Sequence, residues 1–163
     1  MGLFSSLFRS KKQNDKLSDD GKVSDTEEFI AVLSQISNGL GEYASCAFGE
    51  ENPRKKNQKG QEMLSIITDT ENKSTLLNDS IMYYKLAIAY RNYCAWFVRG
   101  DERKMYLEKC EDLLNKSISI DPKYINAKSE LGSLLIQEKV IRNLSKGIKI
   151  LEDLKEDDNL PSY

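Results

Sequence analysis

Histidine is absent from this 163-residue chain. That removes the commonest general base, the commonest metal ligand and the usual catalytic triads. Cysteine is scarce and odd in number. Cys46, Cys94 and Cys110 form no C-x-x-C pair, and all three fall within helical patterns. They read as small buried residues in a reducing compartment rather than a disulfide framework. Three prolines and nine glycines are too few for a turn-rich β-sandwich. No run approaches the roughly 20 apolar residues of a membrane-spanning helix. No glycine-rich phosphate loop occurs. The carboxylate neighbours Glu27/Glu28 and Glu111/Asp112 diverge on a helix because they are adjacent in sequence. The expectation is a non-enzyme without metal or cofactor. A formal net charge of -2 gives no global pull toward nucleic acid, and none is expected as a partner.

What is present is helical periodicity. Hydrophobic residues make up 39% and charged residues 31%, typical of a soluble helical domain. Two regions are expected: a flexible amphipathic and basic tail over 1–23, and a helical body over 24–160. Ser24 or Asp25 opens the first helix at capping-box spacing from Glu27 and Glu28. Phe29, Ile30, Leu33, Ile36, Leu40, Tyr43 and Ala47 carry its apolar period to Phe48, through Gly39 and Gly41. Residues 49–60, with Pro53, read as a loop. A shorter helix presents Met63, Leu64, Ile66 and Ile67, and 70–78 reads as a turn. Asn78 or Asp79 caps a helix with Tyr83, Leu86, Ala87, Tyr90, Cys94 and Phe97 inward. Gly100 suits the left-handed residue beyond its end. Asp101 caps the next helix, with Tyr106, Cys110, Leu113, Leu114, Ser117 and Ile118 inward. Asp121 reads as an N-cap with Pro122 at the first helical position. That helix carries Ala127, Leu131, Leu134 and Leu135. Asn143 or Ser145 starts the last, with Gly147, Ile148, Leu151 and Leu154 inward. No segment alternates with a period of two, so no sheet is expected.

Small residues sit beside large ones at repeated steps. Tyr83-x-x-Leu86-Ala87-x-x-Tyr90 is followed by Cys110-x-x-x-Leu114-x-x-Ser117, then Asp121-Pro122, then Asn126-Ala127-x-x-x-Leu131-Gly132-x-x-Leu135. This resembles the tetratricopeptide repeat, over roughly residues 79–160. The separation of Tyr90 from Cys110 exceeds the family spacing by about three helical turns. The pair over 24–70 matches only as an amphipathic hairpin and suits a cap. The resemblance implies an all-α fold of about six helices, in antiparallel pairs stacked as a short right-handed solenoid. Gly132 is then the close-packing step against the preceding pair.

The resemblance further implies a concave groove lined by the first helix of each pair, holding a partner peptide or helix. Its candidates are Ile81, Tyr84, Ile88, Arg91 and Asn92 on one repeat, with Asn126, Ser129, Ser133 and Ile136 on the next. Tyr84 and Ile88 suit an apolar anchor; Arg91 and Asn92 suit a carboxylate or peptide backbone. The function expected is a cytoplasmic interaction scaffold for another protein. Two alternatives stay open. One is a dedicated chaperone or inhibitor of a single partner. The other is a peripheral membrane protein at the inner face of a membrane. For the latter, Leu3, Phe4, Leu7 and Phe8 share one helical face beside Arg9, Lys11 and Lys12, and Met1-Gly2-Leu3-Phe4-Ser5-Ser6 fits an N-myristoylation pattern. Without acylation these side chains supply only weak contact with an anionic membrane. The basic run Arg54-Lys55-Lys56 with Lys59 reads as a solvated patch.

Overall fold

The computed structural model describes residues 27–34, 42–74 and 78–156, and each regular element among them is an α-helix. Residues 27–34 form α1. Then come α2 (Glu42–Gly49), α3 (Pro53–Ser74), α4 (Ser80–Phe97), α5 (Glu102–Ile120), α6 (Ile125–Gln137) and α7 (Leu144–Glu156). The chain is all-α over these residues, with seven helices where six are expected. The expected single helix over 24–48 contains both α1 and α2; Ile36, Gly39, Leu40 and Gly41 lie outside the described residues.

The centre is α4. Leu86, Ala87, Tyr90 and Cys94 are buried as their period requires, and so are Met82, Ala89, Tyr93 and Trp96. A helix apolar on most sides must be enclosed by others. Accordingly α4 packs against α2, α3 and α5. Elsewhere packing runs between sequence neighbours: α2 on α3, α5 on α6, α6 on α7. The α4–α5 and α6–α7 contacts are the most extensive.

Local chemistry sets the ends of these helices. The Asp79 carboxylate accepts from the Met82 amide at 2.8 Å, so Asp79 is the N-cap of α4. Gly100, at φ +66°, takes the left-handed turn after α4. The start of α4 meets the last turn of α5 through two buried serines. Ser117 Oγ donates to the Ser80 carbonyl at 2.8 Å, and Ser80 Oγ donates to the Ser117 carbonyl at 3.1 Å. At the other end, Arg103 Nη1 on α5 donates to the Cys94 carbonyl at 2.9 Å. Asn143 caps α7 by accepting from the Lys146 amide at 3.1 Å.

Several boundaries differ from the sequence reading. Residues 53–60 are helical rather than loop, because Pro53 occupies the first position of α3 and Asn52 Oδ1 accepts from the Arg54 amide at 3.0 Å. Residues 70–74 also belong to α3. That polar turn is tied by tertiary bonds: Glu71 accepts from the Tyr90 hydroxyl and from Lys109, both at 2.6 Å. Asp121 ends α5 instead of capping α6; its carboxylate closes a turn on the Lys123 amide at 3.0 Å, and α6 begins at Ile125. Asp101 makes no side-chain cap bond. Ile148 is exposed rather than inward, and Tyr83, Phe97, Ile118 and Leu151 are half-buried.

Gly132 does pack closely, but against α7 and not against the preceding helices. A Cβ at Gly132 would lie 2.7 Å from Leu151 and 3.3 Å from the Gly147 carbonyl. A Cβ at Gly147 would lie 2.9 Å from the Gly132 carbonyl and 2.8 Å from Ile136. The two glycines let the backbones of α6 and α7 meet.

Candidate functional site

Along α4, Ile81, Tyr84 and Ile88 follow steps of three and four, one stripe of a helix. Ile81 is 44% exposed, while Tyr84 and Ile88 are half-buried. Tyr84 meets Tyr124, just before α6, edge to face at 5.3 Å. Burial, reinforced by Glu130 and Tyr124, raises the Tyr84 hydroxyl above its ordinary value. It stays a neutral donor at physiological pH.

About two turns of α4 beyond Tyr84, Arg91 reaches α6. Its guanidinium pairs with Glu130 and donates to Gln137 Oε1 at 2.9 Å. Asn126, Glu130, Ser133 and Gln137 share one stripe of α6, with Ser133 between the two groups that hold Arg91. Asn126 and Ser129 are exposed; Ser133, Asn92 and Ile136 are half-buried. Two side-chain contacts thus link α4 with α6 and the residue before it: Arg91 with Glu130 and Gln137, and Tyr84 with Tyr124. Arg91 differs from expectation in one respect: its fork closes on this chain's own α6. The sequence reading missed Tyr124, Glu130 and Gln137. No sequence signal marked these pairs, because they depend on how α4 sits beside α6.

The membrane candidates Leu3, Phe4, Leu7, Phe8, Arg9, Lys11 and Lys12 lie outside the described residues. No helix among the described residues is long and apolar enough to cross a membrane. The basic run is only partly solvated. Lys59 bonds Glu42 at 2.7 Å and Glu62 at 3.0 Å and lies over the Tyr43 ring at 4.8 Å. Lys56 donates to the Ala47 carbonyl.

Cys94 and Cys110 sit in no reactive environment. Burial pushes Cys94 from the ordinary 9.0 up to about 11, and burial raises Cys110 as well. Their protons point at carbonyls, Cys94 to Arg103 at 3.5 Å and Cys110 to Ala87 at 3.4 Å. Only the thiolate reacts. A thiol reagent at neutral pH is therefore expected to label Cys46 alone in the native protein and all three after unfolding; rapid native labelling of three thiols would contradict this packing. Burial disfavours the Cys94 thiolate, so the fold keeps its full stability below pH 9, where the thiol is neutral folded or unfolded, and loses stability as pH rises from there through about 11.

No protein-family model, no curated protein and no solved structure matches this chain.

Proposed function

We propose that this chain is a non-enzymatic interaction scaffold that binds a segment of a partner protein across α4 and α6. Its helices are read as antiparallel pairs, α4 with α5 and α6 with α7, stacked as a short right-handed solenoid resembling tetratricopeptide repeats. Packing mainly between sequence neighbours supports this, since repeat stacks bury their core between adjacent units. So does the meeting of the start of α4 with the end of α5 at Ser80 and Ser117. In this reading α1, α2 and α3 cap one end.

The observation that carries the binding site is the incompletely covered stripe of Ile81, Tyr84 and Ile88 on the helix that Arg91 ties to α6. Partner binding concentrates in a few apolar or aromatic anchors beside polar groups that exclude water. Tyr84 and Ile88 would seat such an anchor, with Ile81 at its edge. Asn92, Asn126, Ser129 and Ser133 would offer hydrogen bonds along the rim. Arg91 would act chiefly by fixing the spacing of α4 and α6. Buried, unpaired thiols suit a cytoplasmic setting.

The test is Ile81→Asp. Ile81 is exposed, so the thermal midpoint should hold. The amount of partner recovered with the native chain should fall by about tenfold or more, the loss expected for a hot-spot anchor. Undiminished recovery would overturn this reading.

A further inference from the structure

A cavity of about 260 Å³ opens between the start of α3 and the end of α4. Its apolar lining is Pro53 with the aromatic Tyr93, Trp96 and Phe97. The Tyr93 and Phe97 rings lie 6.1 Å apart. Gly60 brings the α3 backbone against this cluster, since a Cβ there would stand 3.0 Å from the Phe97 ring. Its charged lining has one sign, Lys56 and Arg99, and no carboxylate lines it.

The two cations are held in place. Lys56 is fixed by the Ala47 carbonyl. Arg99 Nη1 donates to the carbonyls of Val98 at 2.9 Å and Ala95 at 3.2 Å. Its Nε and Nη2 donors have no protein partner among the described residues. Phe48 follows Ala47 directly and is 78% exposed. Bare aromatic surface thus lies within one residue of the group that holds Lys56. The volume suits a single side chain, being below the roughly 300–1,000 Å³ of cofactor and drug sites.

We propose that this cavity docks an acidic peptide segment of a partner protein that carries one large apolar side chain. The apolar side chain enters between Trp96 and Phe97. The flanking carboxylates meet the free edge of Arg99, whose fork matches a carboxylate, and the ammonium of Lys56. Charge complementarity selects this occupant: the aromatic lining takes any apolar group, but two fixed cations with no acid among them favour a negatively charged chain. The site is separate from the Ile81 stripe, which begins at the opposite end of α4.

Trp96 is the chain's sole tryptophan and lines this cavity, so its emission reports on occupation there. The full chain would be titrated with the synthetic peptide Asp-Glu-Phe-Glu-Asp, and in parallel with Lys-Lys-Phe-Lys-Lys. The expected result is a saturable change in Trp96 emission with the acidic peptide only, weakened by added salt. Arg99→Ala, at an exposed position, should raise the dissociation constant roughly tenfold, and Lys56→Ala should raise it too. Circular dichroism would verify that both variants fold. The proposal is overturned by equal response to the two peptides, by binding that Arg99→Ala leaves unchanged, or by no saturable emission change and no calorimetric heat up to about 1 mM peptide.

Discussion

Gly147→Ala is expected to destabilise the protein by about 1–3 kcal/mol, the usual cost of overpacking a filled interface. Helix propensity alone argues for the opposite sign, because alanine is favoured over glycine by about 1 kcal/mol in a helix interior. Geometry decides. The new Cβ would stand 2.9 Å from the Gly132 carbonyl, which belongs to backbone and cannot rotate away. Relief requires α6 and α7 to separate, and that gives up contacts around Leu135 and Leu151. Gly132→Leu should be worse, since its Cβ would already lie 2.7 Å from Leu151 before the rest of the side chain is placed. Gly49→Ala supplies the control. Nothing lies within 4 Å of a Cβ at Gly49, so its midpoint should hold or rise slightly. Urea unfolding of the variants measures all three. An undiminished midpoint for Gly147→Ala would mean that α6 and α7 do not touch at these glycines.

Arg91→Ala is expected to cost about 1–3 kcal/mol of folding stability. The side chains of Arg91 and Glu130 are 20% and 21% exposed, so their pairing is only partly screened by water. Removing the guanidinium leaves Glu130 and Gln137 facing α4 without their donor. A surface pair would instead contribute between nothing and about 1 kcal/mol. The double variant Arg91→Ala/Glu130→Ala separates the two cases. If the pair acts as a unit, the second substitution should add much less than it costs alone. Additive losses would show that α4 and α6 are not coupled through these residues. Because Arg91 supports the fold, a binding defect in Arg91→Ala would not by itself locate the partner; Ile81 is the cleaner probe.

Much of the fold was legible in three-four periodicity. The inward sets of α4, α5 and α6 follow it apart from the half-buried Tyr83, Phe97 and Ile118, and Leu33, Tyr43, Ala47, Met63 and Ile67 in the first half are buried as read. The errors share one cause, which is that local chemistry is ambiguous until the tertiary neighbours are known. Pro53 and Pro122 are the plainest case. Each follows an Asx residue, yet Pro53 starts a helix while Pro122 sits in a turn. The polar end of α3 shows the same limit. Nothing periodic marks residues 70–74, and Glu71 holds them through Tyr90 and Lys109, residues distant in sequence. Tyr93 and Trp96 were missed because one stripe was assigned to α4, whereas a central helix buries several.

The candidate site was legible as a set of residues but not as a geometry. The sequence placed Tyr84, Ile88, Arg91 and Asn92 on one helix by spacing alone. It had no means of pairing Arg91 with Glu130, because that depends on how α4 sits beside α6. The aromatic and cationic cavity was invisible for a related reason. Lys56 lies in a segment read as loop, and Arg99 lies just beyond a helix end. Only the packing of α3 on α4 brings them together.

One comparison tests the central claim most directly: the partner recovered with Ile81→Asp against that recovered with Met105→Asp. Both positions are exposed, at 44% on α4 and 54% on α5, so neither substitution should disturb the core. A scaffold that binds across α4 and α6 predicts that Ile81→Asp loses its partner while Met105→Asp retains it, at equal thermal midpoints. Retention by Ile81→Asp, or an equal loss from both, would contradict it.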